Sequence, residues 1–167
     1  WTTKQIDNAP CAQIGNTFFI GRTIIRIDGL EPGAKIDTCG VAPIPGGWAP
    51  KSVSSKPCAT VLNRSYVGKV LVKIEGLPAD SVVKTCGLGA TPLDWVITKI
   101  DAPYCATFEG TQFIGKTIRN IEDVPAGTTL TTCSSAPPVG WISSAVSKSY
   151  CGHHQNTWYV ERKITKI

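Results

Sequence analysis

The sequence predicts an all-β protein built from small, disulfide-stapled units, about 3.5 tandem copies with a period near 47 residues. Three observations carry that expectation. Tryptophans stand at 1, 48, 95 and 141, and cysteines at 11, 58, 105 and 151, both at spacings of 47, 47 and 46. A second cysteine set, Cys39, Cys86 and Cys133, follows the first by 28 residues each time. No stretch keeps a helical period, whereas short alternating apolar runs bounded by Gly, Pro and Asn recur throughout. The same beat places Phe19, Tyr66, Phe113 and Tyr159 in one aromatic slot and Ile27, Ile74, Ile121 and Ile167 in one isoleucine slot.

Each copy opens with Trp and a short alternating run, such as Trp48 to Val53, which reads as a short strand. A proline-bearing approach to the first cysteine follows (Ala9-Pro10-Cys11; Lys56-Pro57-Cys58). Proline fixes φ and removes a donor, so this piece is expected as a turn or edge segment. Tight turns are expected at Gly15-Asn16, Asn63-Arg64, Glu109-Gly110 and Gln155-Asn156. The longest strand comes next. In the second copy alternation assigns Val70, Val72 and Ile74 to one face, and Lys69, Leu71 and Lys73 to the other. Gly21, Gly68 and Gly115 share a slot there, which points to a bulge or a close backbone approach. Glu161 holds that slot in the fourth copy.

A proline-glycine reversal (Leu30-Glu31-Pro32-Gly33; Val124-Pro125-Ala126-Gly127) leads to a short strand that ends in Thr and the second cysteine. Thr38, Thr85 and Thr132 hold the threonine slot, and Ile36, Val83 and Leu130 an apolar slot two residues earlier. A Pro/Gly-rich linker then reaches the next Trp. The expectation is about four short strands per copy. A closed three-fold β-trefoil-like barrel is the alternative architecture.

One copy of this length is too small to stand alone, because a unit of roughly 60 residues buries only about 60% of its unfolded surface. Each copy needs a staple, a neighbour, or both. Seven cysteines at regular spacing point to disulfides and an oxidising compartment. No Cys-x-x-Cys pair supplies zinc-knuckle spacing. Two pairing frames fit the spacing. Either each copy closes on itself (Cys11–Cys39, Cys58–Cys86, Cys105–Cys133), or the bridges cross the linker (Cys39–Cys58, Cys86–Cys105, Cys133–Cys151). The second frame is preferred because it divides the chain into an N-terminal half repeat, residues 1–27, and three stapled units at 28–75, 76–122 and 123–167. It leaves Cys11 unpaired or available to another chain.

Charge is sparse, 17% of residues, and the net +5 is spread along the chain. Residues 1–47 sum to 0, 48–94 to +3, 95–140 to −1 and 141–167 to +3. No concentrated basic stripe favours nucleic acid. No apolar run is long enough for a membrane span. The chain has no Met and begins on a repeat boundary, so it reads as a product from which an export signal has been removed.

Candidate sites are few. Asn63-Arg64-Ser65 is a glycosylation sequon on an expected turn, and Ser/Thr/Pro clusters could carry O-linked sugar. His153 and His154 are adjacent, so on a strand they point to opposite faces and read as part of a polar turn, not a metal site. The recurring Trp reads as a packing anchor in preference to a sugar platform. The carboxylate pair Glu122-Asp123 lies beside a turn with no apolar pocket to shift its pKa values. No frame supports a catalytic triad, and no cofactor is called for. The first expectation is an extracellular, secreted or cell-surface structural protein. It would assemble head to tail with copies of itself through the edge of the half repeat, into a filament or fibril. The second is a secreted carbohydrate-binding protein, with glycans as partners. An enzyme is not expected.

Overall fold

The computed structural model describes residues 1–40, 42–88, 90–133, 136–154 and 157–167, with the side chains of all of these except 102, 103, 154 and 157. The expected turn at Gln155-Asn156 lies outside the described residues. The described residues form eleven strands and no helix. These are β1 (Thr2–Ile14), β2 (Thr17–Ile25), β3 (Lys35–Cys39), β4 (Trp48–Val61), β5 (Arg64–Lys73) and β6 (Val82–Cys86). They continue with β7 (Trp95–Phe108), β8 (Thr111–Asn120), β9 (Thr129–Cys133), β10 (Trp141–His154) and β11 (Thr157–Lys166).

Four sheets result. Three have three strands, in the orders β3-β5-β4, β6-β8-β7 and β9-β11-β10. The first has two, β1-β2. None closes on itself among the described residues, so the barrel alternative is not met. In each three-stranded sheet a long antiparallel hairpin takes a five-residue strand from the preceding stretch of chain onto its second arm. β3 lies against β5 with Ile36 opposite Leu71, Thr38 opposite Lys69 and Cys39 opposite Gly68. β9 lies against β11 and β6 against β8 in the same antiparallel sense.

The expectation of four short strands per period is corrected to three. The Trp run and the cysteine approach are one continuous strand, and proline does not end it. Among the described residues β4 has one strand neighbour, β5, so an edge position accommodates the missing N–H of Pro57. The register also slips on both sides of Pro57, between Val53 and Pro57 and between Pro57 and Ala59. The same slips flank Pro10 in β1. The bulge therefore lies on the proline strand, not on the glycine strand where sequence placed it. The glycines instead mark a close approach from the neighbouring strand: a Cβ at Gly68 would stand 3.4 Å from Cys58 Cβ, one at Gly115 3.1 Å from Asp101 Cβ and 3.5 Å from Cys105 Cβ, and one at Gly21 would collide with the Asp7 carboxylate. The fourth copy carries Glu161 in the equivalent slot.

The turns follow local chemistry. Leu62 and Asn63 both take positive φ at the tip of the β4–β5 hairpin, one residue earlier than expected. The residue before each internal Trp (Gly47, Asp94, Gly140) also has φ between 61° and 79°. Glycine carries no steric cost there, and Asp tolerates it. The carbonyl of that residue accepts from the amide that follows the second hairpin arm: Ile74 N–H donates to Gly47, Ile121 N–H to Asp94 and Ile167 N–H to Gly140, at 2.7–3.0 Å.

The chain divides into two compact bodies, residues 1–75 with 106–112, and residues 76–105 with 113–167. In the first, Ile6 packs with Cys39, Ala59, Val61 and Tyr66. A second cluster joins Ile27, Trp48 and Leu71, with Leu30 and Ile36 against them. In the second body, Ile100 packs with Ile114 and Cys133, with Cys151 and Tyr159 beside them. Trp141 joins Val96, Ile121, Val124, Leu130 and Ile164. The same repeat slots therefore build the core of each body. No helix is long and apolar enough to cross a membrane.

Candidate functional site: the disulfides and the open edge of the first hairpin

Disulfides join Cys39 to Cys58, Cys86 to Cys105 and Cys133 to Cys151, with Cα–Cα distances of 5.8, 5.7 and 5.7 Å. Each ties the end of the short strand to the first arm of the hairpin and so passes over the second arm, at the position of Gly68, Gly115 or Glu161. Closing loops of 18–19 residues, each bridge contributes about 3 kcal/mol on a chain-entropy account. Three disulfides are compatible with an extracellular protein. The threonine before each bonded cysteine has a task as well. Thr38 Oγ1 donates to the Lys69 carbonyl at 3.1 Å, Thr85 Oγ1 to Lys116 at 3.3 Å and Thr132 Oγ1 to Arg162 at 3.5 Å.

Cys11 is a free, exposed thiol. Its sulfur lies 3.4 Å from the Phe19 carbonyl oxygen. The bonded sulfurs of Cys58, Cys105 and Cys151 lie 3.2–3.3 Å from the carbonyls of Tyr66, Phe113 and Tyr159, the same slot. The first hairpin thus holds its sulfur where the other three hold theirs. What it lacks is a strand beside β2: among the described residues β2 pairs with β1 alone. The effect on burial is large. Ile24 is 55% exposed, while Leu71, Ile118 and Ile164 in the same slot are 2%, 2% and 0% exposed. Ile14 is 71% exposed and Val61, its counterpart, 1%. Trp1 and Phe19 are exposed where Trp48, Trp95, Trp141 and Tyr66 are buried.

The central arms carry half-buried charge. Lys69 and Lys116, one period apart, both have ammonium pKa values held below 10.5 by desolvation. The exposed Lys51 ammonium is held below 10.5 by Lys35, which favours a neutral amine able to accept its N–H and repels a second positive charge. In the first body a cleft of about 390 Å³ runs along the Cys39–Cys58 bridge, between Lys4, Asp37, Val53 and Lys69. It is open and of mixed charge, with no nucleophile–base pair converging on it.

Asn63 sits exposed at its hairpin tip, so a glycan there would meet solvent. His153 and His154 end strand β10 and do not form a turn. His153 stacks at 4.3 Å from Trp158, which also lies 4.8 Å from Tyr150. Tyr150 and Trp158 are both more than half exposed. The trio was missed in the sequence because it is never repeated as a set: the second copy holds Pro57, Thr60 and Ser65 in these slots, while Tyr104 and Phe18 each fill one of them in other copies. Trp48, Trp95 and Trp141 are buried, so their faces are unavailable to sugar. No cluster of three His, Cys, Asp or Glu residues suited to a metal occurs among the described residues. No protein-family model, curated protein or solved structure matches the chain.

Proposed function

We propose that the protein is an extracellular structural component, a chain of disulfide-linked β repeats that joins end to end with further copies into a filament or surface assembly, without catalysis. The reading treats residues 1–27 as the half repeat and 28–75, 76–122 and 123–167 as the complete units. One observation carries it: the first and last hairpins expose apolar slots of a packing pattern that is filled inside the chain. The first exposes Trp1, Ile14 and Ile24, whose counterparts Trp48, Val61 and Leu71 are buried, and Phe19, whose counterparts are buried at Tyr66 and half-buried at Phe113 and Tyr159. The last exposes Val146 and Ile167, whose counterparts Ile6 and Ile100, and Ile27, Ile74 and Ile121, are buried.

Magnitudes set the character of such a joint. Each large apolar side chain removed from water contributes about 1.5–3 kcal/mol. Association costs about 4–15 kcal/mol in lost freedom and ordering. An end-to-end contact made by these few residues is therefore weak and concentration-dependent unless a covalent link secures it. Sedimentation velocity at rising protein concentration under oxidising conditions tests the reading. Growing oligomers are expected for the native chain, and their loss for Ile24→Lys and Val146→Lys. A monomer at every concentration, with the variants indistinguishable, contradicts it.

A second reading, carbohydrate binding, is favoured by the exposed group of Tyr150, His153 and Trp158. Aromatic faces with polar edges suit sugar rings, and such a site would occur once in the chain and not once per repeat. Glycan-array binding that Trp158→Ala abolishes would support it.

A further inference from the structure

We propose that the open edge of β2, from Gly21 to Ile25, is an acceptor for a five-residue strand of the pattern apolar-x-Thr-Cys, which docks antiparallel and forms a disulfide with Cys11. The proposal rests on the structural reading above; the donor is a strand of repeat sequence without a hairpin of its own, because β3, β6 and β9 are already paired and Cys39, Cys86 and Cys133 already bonded within this chain. Every feature of the acceptor has three filled counterparts in the same chain. Carrying the β3–β5 register back by one period places the donor's apolar residue opposite Ile24, its Thr opposite Arg22 and its Cys opposite Gly21.

Three recognition elements follow. The apolar residue covers Ile24, as Ile36 lies opposite Leu71 and Leu130 opposite Ile164. The threonine hydroxyl donates to the Arg22 carbonyl, as Thr38 does to Lys69. The cysteine reaches a sulfur already placed like its bonded counterparts. Backbone pairing adds the affinity and side-chain alternation the specificity, as in other strand-addition interfaces. A donor shifted by one residue would present its apolar group to the wrong face.

In the covalent step two thiols, Cys11 and the donor cysteine, are oxidised to one disulfide. The two electrons and two protons pass to a small-molecule disulfide such as oxidised glutathione, which leaves as two thiols.

The test uses the whole chain and a synthetic peptide, Gly-Thr-Thr-Leu-Thr-Thr-Cys, which is the sequence of residues 127–133. The control is its isomer Gly-Thr-Leu-Thr-Thr-Thr-Cys, with the same thiol but the leucine on the opposite face. In a glutathione buffer, intact-mass spectrometry should show the native peptide bonded to Cys11 at least about tenfold faster than the isomer, since 1.4 kcal/mol of docking suffices for that ratio. Cys11→Ser should remove the adduct while amide exchange still shows the native peptide protecting residues 21–25. Equal trapping of both peptides, or no protection of β2, would overturn the proposal. Sedimentation of the same samples separates the two ideas. Peptide capture by a chain that never oligomerises sinks self-assembly alone. Oligomers that form in Cys11→Ser, together with no preference between peptides, sink the strand acceptor alone.

Discussion

Asn120 shows how much a single buried polar residue holds together. It is 1% exposed, yet its amide donates to the Leu77 carbonyl at 3.0 Å and to the Pro78 carbonyl at 3.3 Å, and its oxygen accepts the Glu122 amide at 2.9 Å. It clamps the proline reversal of its repeat to the hairpin arm. Lys73, one period earlier, does the same with its ammonium on the Leu30 carbonyl. Asn120→Ala leaves these groups without partners and should cost about 1–3 kcal/mol in guanidinium unfolding. Lys69 and Lys116 make a second residue-scale prediction. Their pKa values are lower folded than unfolded, so between the lowered value and 10.5 the unfolded chain binds more protons. Stability should therefore rise with pH through that alkaline window, and below it the cost of the half-buried charge is present in full. The rise should flatten in Lys69→Gln with Lys116→Gln, measured by melting across alkaline pH. The sequence hid the cause. Alternation put Lys69, Leu71 and Lys73 on the face opposite Val70, Val72 and Ile74 without saying which face is covered, and Leu71 and Val72 are both buried. A central strand is covered on both faces, and period-two reading assumes that one face meets water.

At the scale of elements, strand existence, hairpin turns and the absence of helix were legible, because alternation and turn residues act locally. The number of strands per period was not. Whether proline breaks a strand depends on whether its missing N–H faces a neighbour, and that is decided by sheet order. Linear spacing likewise allows two cysteine frames. What distinguishes them is that the short strand pairs with the hairpin that follows it, a three-strand property. The hairpins make a direct comparison possible. Ile164→Ala should cost about 2–5 kcal/mol, as for other fully buried large-to-small changes. Ile24→Ala in the same slot should stay within about 1 kcal/mol, since half its surface is already wet. Replacing Cys133 and Cys151 together by Ser should remove about 3 kcal/mol, whereas Cys11→Ser should be nearly silent. Guanidinium midpoints of the variants check each of these.

For the molecule as a whole, the 47-residue beat in the sequence was the most informative signal, because it identified slots whose burial can be compared copy by copy. It set residues 1–27 apart as a half repeat with an open edge and an unpaired Cys11, but it could not show which of its slots are exposed. Trp1, Ile14, Phe19 and Ile24 look like their counterparts in sequence; Ile24 lacks a strand beside β2, and the other three lack the preceding copy against which Trp48, Val61 and Tyr66 pack. The claim on which the account turns is that this edge is unpaired. Amide hydrogen exchange read residue by residue tests it most directly, because opening free energies are near zero for solvated amides and approach the global value in central strands. In the chain alone, the edge amides between Gly21 and Ile25 should exchange orders of magnitude faster than those of Gly68 to Val72 and Gly115 to Arg119. Protection of Gly21 to Ile25 as strong as in those two segments would contradict it.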